Sequence, residues 1–263
     1  MNIILNGPGR SGTTLLSQLF SYHEDFTWIS GWLNRYPNLT MLTYFNFLYR
    51  SKLFGIDISD LPKTPKPAEA YNFWNHYIDN FNDNYEPTSL ELKKLSSVIK
   101  KIKDRSNKPH FVTKITGDLR ENVFDNIFEN YELIWIERDP RVVVSSYIKQ
   151  RWFYKNNSQE YKNLSNEDKI RFYSNYYMNI YSKSKSVKRK LVFYEDLCND
   201  PEKFMKDLLK HLDLNFSKYH ASKVREREIK EIGWSNYKYM YSSDDVKLLD
   251  KLLVEPLTDY NYI

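Results

Sequence analysis

The first sixteen residues constrain this chain more than any other stretch. Asn2-Ile3-Ile4-Leu5-Asn6 reads as a short buried strand, Gly7-Pro8-Gly9-Arg10-Ser11-Gly12 as a turn, and Thr13-Thr14-Leu15-Leu16 as the start of a helix. Three glycines within six residues let the backbone approach a ligand closely. A helix beginning near Thr13 aims its free N–H groups and positive dipole end into the same turn. The stretch reads as an anion cradle.

Its spacing, from Gly7 through Gly12 to Thr14, follows the nucleotide-binding pattern G-x-x-x-x-G-K-[ST], but Thr13 stands where the lysine belongs. Without that lysine, nothing from the loop reaches the β/γ-phosphates of a triphosphate. The basic group is Arg10, three residues earlier and inside the turn. At this point a phosphate loop and an ordinary strand-to-helix turn both remain open.

With 263 residues, 41% of them hydrophobic, the chain can bury one substantial core, and a single α/β domain over 1–263 is expected. The 22 tyrosines and six tryptophans suit stacking surfaces, although core packing accounts for most of them. A net charge of +5 is spread along the sequence without a long basic tract, which favours a small anionic ligand over a nucleic-acid polymer. Cys198 has no cysteine partner in the sequence, so an intrachain disulfide and a thiol-based metal site are excluded, in keeping with a reducing compartment. The longest charge-free apolar segment, Leu39 to Tyr49, is too short and polar to span a bilayer, and the N-terminus enters strand-like residues directly. The reading is a cytoplasmic protein without a membrane span.

Leu15, Leu16, Leu19 and Phe20 recur at helical spacing up to Tyr22-His23, and Phe26 to Ser30 has the character of a second strand. A helical, aromatic insertion at about 31–105 follows, with helices predicted at roughly 39–54, 69–81 and 89–105. It is interrupted by the proline-rich Leu61 to Pro67, and it either walls one side of a site or only completes the core. His110 to Asp118 is a strand entering a loop, about 120–129 a helix, and Leu133 to Arg138 another buried strand. Asp139 and Pro140 then suit the N-cap and first position of a helix running to about Trp152. A long aromatic helix from Asn166 to Lys188, a strand from Lys190 to Tyr194, a helix capped by Asp200-Pro201, and a final helix opened by Ser243 complete the pattern. Hydrophobic strands alternating with helices predict a three-layer α/β fold of P-loop type, with a central, mostly parallel sheet flanked by helices.

In such a sheet, ligands bind at the C-terminal ends of the strands. The residues to read are therefore Arg10 to Thr14, Ser30 to Arg35, Lys114 to Asp118, Arg138, and Tyr194 to Asp196. Arg138 at a strand end can clamp a phosphate, and Ser146, about two turns into the next helix, can add a hydroxyl. Two anion sites side by side imply a ligand carrying two separate phosphate-type groups. An ion pair of Arg138 with Glu137 or Asp139 is the competing reading.

Three stretches together, Gly9-Arg10-Ser11-Gly12-Thr13-Thr14-Leu15-Leu16, Arg138-Asp139-Pro140-Arg141-Val142-Val143-Val144-Ser145-Ser146, and Tyr194-Glu195-Asp196-Leu197 followed by Pro201-Glu202, resemble the sulfotransferase family. They stand in family order over most of the chain. The resemblance implies sulfuryl transfer from 3′-phosphoadenosine 5′-phosphosulfate (PAPS) to a hydroxyl acceptor, a carbohydrate or other small molecule, leaving adenosine 3′,5′-bisphosphate (PAP). It implies that Gly9, Arg10, Ser11, Gly12, Thr13 and Thr14 hold the 5′-phosphosulfate, that Arg138 and Ser146 hold the 3′-phosphate, and that Tyr194 lies by the adenine. Glu195 and Asp196 take structural roles, and Gly233-Trp234 is similar in position to a loop that closes on the nucleotide.

In-line transfer of this kind relies on positioning and electrostatic stabilisation. Arg10, Lys114 and helix N–H groups can neutralise the donor, so no divalent metal is demanded. An arginine stays charged, so Arg10 acts as a clamp on the leaving group, while Lys114 is a proton donor or a second clamp. The acceptor also needs a base. Family members place a histidine just beyond the Lys114-like position or a glutamate after the second strand, where this chain has Thr116 and Ser30-Gly31. Asp118 is the best remaining candidate and His76 the second, whereas His110 lies at the wrong end of its strand. The competing functions are a P-loop kinase using Mg-ATP, with Asp139 as the magnesium-holding carboxylate, and an inactive nucleotide-binding protein of the same fold. The acceptor and the oligomeric state stay open.

Overall fold

The computed structural model describes residues 1–53, 56–81, 86–150, 158–227, 229 and 236–263. In chain order, β1 (Asn2–Asn6) leads into α1 (Thr13–Tyr22), and β2 (Phe26–Trp28) into the short α2 (Gly31–Arg35). A 3-10 helix (Thr40–Arg50), a small hairpin of β3 (Lys52–Leu53) with β4 (Ile56–Asp57), α3 (Tyr71–Tyr77) and α4 (Ser89–Ser106) precede β5 (His110–Lys114). Then come α5 (Glu121–Ile127), β6 (Glu132–Glu137), α6 (Pro140–Lys149), α7 (Gln159–Asn163), α8 (Asn166–Lys185) and β7 (Lys190–Phe193). The chain ends with α9 (Tyr194–Asn199), α10 (Pro201–His211), α11 (Lys218–Glu226), α12 (Ser243–Leu252) and α13 (Val254–Asp259).

The main sheet has the order β2-β5-β1-β6-β7, and every pairing in it is parallel. β1 is central, which explains why Ile3, Ile4 and Leu5 are all fully buried: a strand with neighbours on both edges and helices on both faces has no wet side. Alternation sends Ile3 and Leu5 to the face that packs Leu16, Leu19 and Phe20 of α1 with Met205 and Leu208 of α10. Ile4 goes to the other face, among Phe73 and Trp74 of α3, Leu95 and Ile99 of α4 and Phe124 of α5. The chain leaves β1 toward β2 and β5 on one side and later fills β6 and β7 on the other, so the crevice above β1 is where an open α/β sheet takes its ligand.

Most boundaries follow the local signals. Asp139 accepts from the Arg141 N–H at 2.9 Å with Pro140 at the first helical position, Asp200 caps α10 in the same manner, and Thr88 with Glu91 forms a capping box on α4. Four expectations need revision. The helix predicted at 39–54 is a 3-10 helix, whose buried residues Thr40, Thr43, Asn46 and Tyr49 recur every third position, as eclipsed i and i+3 side chains require. The helix predicted from 69 starts at Tyr71, because Ala70 is left-handed (φ 63) and breaks the turn. Tyr194 opens α9 instead of ending β7, and α12 is followed by a further helix, α13. The predicted stretch of α6 beyond Gln150 and the Gly233-Trp234 loop lie outside the described residues.

A third apolar cluster joins α6, α8, α12 and α13 through Val143, Val144, Tyr147, Tyr173, Tyr177, Leu249, Leu257 and Tyr260. At its junction with the sheet, Glu137 is fully buried and accepts hydrogen bonds from Trp135 Nε1 (2.6 Å), Tyr177 Oη (3.1 Å) and Tyr260 Oη (3.2 Å). Burial pushes its carboxyl up to about 7, against the opposing pull of those three donors. A carboxyl raised in the folded state favours folding most at low pH, and that contribution is lost as pH rises from the ordinary value of 4.5 through about 7. In urea unfolding, the drop in stability from about pH 5 to about pH 8 should be smaller in Glu137→Gln than in the wild type, whatever the substitution does to absolute stability.

Candidate functional site

Parallel pairing sets Leu5 of β1 opposite Lys114 of β5 and Asn6 opposite Trp135 of β6, so the ends of three strands converge on one loop. The loop from Gly7 to Gly12 is pinned by Ser11 N–H to Pro8 O (3.2 Å) and by Gly117 N–H to Gly7 O (2.9 Å). Three of its residues have a positive φ: Gly7 (φ 156), Gly12 (φ 103), which precedes α1 and offers no capping side chain, and Arg10 (φ 71). The non-glycine case costs on the order of 1 kcal/mol and is the kind of strain found at ligand clamps. The Ser11 hydroxyl is buried and has no hydrogen-bond partner among the described residues.

Lys114 Nζ donates to Thr14 Oγ1 at 2.6 Å. The neighbouring strand thus delivers to the loop the ammonium that Thr13 does not supply. Its side chain is almost entirely buried, and desolvation lowers its pKa; the nearby Glu69 carboxylate (3.9 Å) opposes this shift and Arg10 reinforces it. Arg10 Nε donates to Ser146 Oγ at 3.0 Å, which links the loop to α6. Arg138 Nη1 reaches the Arg10 carbonyl at 3.4 Å, and its guanidinium stacks 4.5 Å from the centre of the Tyr194 ring. Tyr194 in turn lies against Gly12, where an added Cβ would stand 2.3 Å from its Cδ2. Burial, together with a hydrogen bond to Cys198, raises the Tyr194 hydroxyl to about 12.

These groups open onto a cavity of about 790 Å³ lined by Gly9, Arg10, Gly12, Thr13, Thr14, Arg138 and Tyr194 from the predicted set, together with Glu69, Tyr71, Tyr147, Tyr176 and Arg227. Ser11, Lys114 and Ser146 stand behind this lining, the last two through their bonds to Thr14 and Arg10. Arg10, Arg138 and Arg227 give the cavity an excess of positive charge over its one lining carboxylate among the described residues, Glu69. Arg227, whose Nη2 donates to Gln18 Oε1 at 2.7 Å, and Glu69 were not legible as site residues, since each is brought in from an unrelated part of the chain.

The structure does not bring Asp118 into the cavity lining. Its Oδ2 accepts from Lys183 Nζ at 2.6 Å, because the chain turns at Gly117 (φ 75) and carries the next side chain toward α8. His76, the second choice, bonds Asn38 Oδ1 at 2.9 Å, also away from the cavity, and His110 sits beside the N-terminal amine at the opposite end of the sheet. Asp139 is held by both the backbone and the guanidinium of Arg141, and Glu195 accepts from Asp139 N–H (3.0 Å) and Tyr262 Oη (2.7 Å).

A sequence model of the sulfotransferase family matches residues 2–218. The chain belongs to the sulfotransferase family. No curated protein matches the sequence significantly. Among solved structures, the fold is similar to sulfotransferase STF9 from Mycobacterium avium, at 14% identity and a TM-score of 0.67, covering 98% of this chain and 76% of that one. Sulfotransferase STF1 from Mycobacterium tuberculosis H37Rv is similar at 14% identity and a TM-score of 0.55, covering 95% of this chain and 75% of that one. The mouse sulfotransferase SULT7A1, complexed with PAP, is similar at 12% identity and a TM-score of 0.50, covering 97% and 83%. At these identities the likeness speaks for the fold, in which this sulfotransferase has a central parallel sheet flanked by helices. Among the described residues, no helix is long and apolar enough to cross a membrane.

The Gly12–Tyr194 contact makes a prediction about the loop of this sulfotransferase. Gly12→Ala combines a left-handed backbone with a direct clash and should destabilise the protein by about 1–3 kcal/mol in urea unfolding. Gly9→Ala, whose Cβ would meet the Tyr147 side chain no closer than 3.3 Å, should cost less.

Proposed function

We propose that this protein transfers a sulfuryl group from PAPS to a hydroxyl of a small-molecule or glycan acceptor. The observation that carries the reading is the pair of anion clamps side by side: the Gly7–Gly12 loop with Lys114 reaching Thr14, and Arg138 stacked on Tyr194 next to the Arg10–Ser146 bond. A donor with a 5′-phosphosulfate and a 3′-phosphate on one nucleoside matches that arrangement. The similar fold of a sulfotransferase complexed with PAP supports the same donor. In this reading Gly9 to Thr14 hold the 5′ end, Arg138 and Ser146 the 3′-phosphate, and Tyr194 the adenine side.

The chemistry asks the protein to hold a leaving phosphate oxygen as negative charge builds on it. Arg10 stays cationic and clamps that oxygen. Lys114 sits on the loop's threonine with its ammonium form weakened by burial, which suits it to give up a proton to the departing oxygen or to clamp it. Arginine, lysine and the α1 N-terminus together can offset the donor's charge without a divalent ion. Of the aromatic stretch 31–105, Glu69 and Tyr71 reach the cavity, and they mark the acceptor side of a single catalytic domain. Phe73, Trp74 and Tyr77 serve the core.

The kinase reading is disfavoured by Asp139, whose carboxylate is already engaged by Arg141 and does not line the cavity. Titration calorimetry tests the choice: PAP should bind without magnesium, whereas magnesium-dependent ATP binding would favour the kinase. Arg138→Ala should lose about 1.5–3 kcal/mol of PAP affinity, the worth of a charge-assisted hydrogen bond, and unchanged affinity would remove the 3′-phosphate site. Lys114→Met should leave the fold intact and lower the turnover of PAPS at least roughly 100-fold.

A further inference from the structure

Resting on the sulfuryl-transfer reading, we infer that Glu69 is the base that takes the proton from the acceptor hydroxyl. The two positions at which the family resemblance implies a base hold Thr116 and Ser30-Gly31, and Asp118 is turned toward Lys183. The structure fills the gap from a different segment. After the 3-10 helix and the proline-rich connection, the chain returns to the C-terminal end of β2 and is strapped there. Gly31 N–H donates to Lys66 O at 2.9 Å, Ala68 N–H donates to Ile29 O at 3.1 Å, and Ser30 and Pro67 form an antiparallel bridge.

This strap places Glu69 two residues beyond Pro67, at the end of the second strand. Its backbone has little freedom. The Glu69 carbonyl accepts from Trp74 Nε1 at 3.1 Å, the next residue is the left-handed Ala70, and Tyr71 Oη donates to Thr116 O at 3.1 Å across the cleft. The side chain is therefore directed into the cavity from the wall facing the loop. Its Oε1 lies 3.9 Å from Lys114 Nζ, and both Glu69 and Arg10 act electrostatically on Lys114, so the three groups share one region. The Glu69 side chain is 36% exposed, which leaves it open to an incoming hydroxyl, while the Lys114 side chain is 5% exposed. Among the described cavity-lining residues no other carboxylate competes for the role.

The step balances. Glu69 takes the acceptor O–H proton as the acceptor oxygen forms its bond to sulfur; the bond from sulfur to the 5′-phosphate oxygen breaks, and its electron pair stays on that oxygen, held by Arg10 and Lys114. The protonated Glu69 then releases its proton to solvent. A carboxylate beside the cationic cluster also repels the donor's sulfuryl oxygens unless a hydroxyl lies between them, so its placement favours proton removal over donor binding.

The test uses the full-length protein with PAPS in water, water serving as the acceptor hydroxyl, and reads PAP formation. Glu69→Gln should lower the rate roughly 100-fold or more, and Glu69→Asp should recover part of it. The acidic limb of the wild-type pH–rate profile should vanish in Glu69→Gln, which a purely structural role would not bring about. PAP affinity by calorimetry should be unchanged or tighter in that variant, since a negative charge has been removed. Equal rates in wild type and Glu69→Gln, or loss of activity in Asp118→Asn with Glu69→Gln still active, would each overturn the assignment. Failure of the wild type to bind PAP at all would instead overturn the sulfuryl-transfer reading beneath it.

Discussion

The hydrogen bond from Lys114 Nζ to Thr14 Oγ1 organises the site, and it is a product of the sheet. β1 and β5 are parallel neighbours in a register that sets Lys114 beside Leu5, the penultimate residue before the loop. A shift of one residue would turn Lys114 to the opposite face of the sheet and leave the loop with only Arg10. Gly117 N–H to Gly7 O adds a second tie between the same two strand ends. The loop's geometry, the cationic character of the cavity and the direction of α1 all rest on that register, which the buried Ile3, Ile4 and Leu5 hold in place.

Concentrating cations in so small a volume has a cost that the surroundings partly offset. Desolvation and Arg10 both weaken the ammonium form of Lys114, and Glu69 opposes them. Arg138 is buried but spreads its charge over the Tyr194 ring and the Arg10 carbonyl. Arg10 occupies a left-handed backbone conformation that only a fully determined loop maintains. Like charge and backbone strain thus coincide at one cavity.

Much of the fold was legible because its signals are local. Asp139-Pro140, Asp200-Pro201 and Thr88 announce helix starts through their own side chains, and the strands read as unbroken apolar runs because a parallel sheet buries both faces. The 3-10 helix has the sequence pattern of an ordinary helix because its period of three differs little from 3.6 over eleven residues, and the third-position burial becomes visible only once the packing is known. Asp118 and Glu69 show the limit for the site. Asp118 follows β5 along the chain yet faces Lys183, whereas Glu69 follows no strand of the main sheet and reaches the end of β2 only through backbone hydrogen bonds.

By itself, the sequence determined the loop, the helix that follows it and the alternation of strands and helices, since each depends on residues within one turn or one strand of the next. Only the tertiary structure decided which groups complete the loop. Lys114 reaches Thr14 from a hundred residues away through strand register, Arg227 arrives from the end of α11, and Glu69 is placed by a strap of backbone hydrogen bonds to residues 29–31. The physical reason is that a strap or a register is made of backbone N–H and C=O groups, which every residue but proline carries alike. Their pairing leaves no mark in the order of side chains.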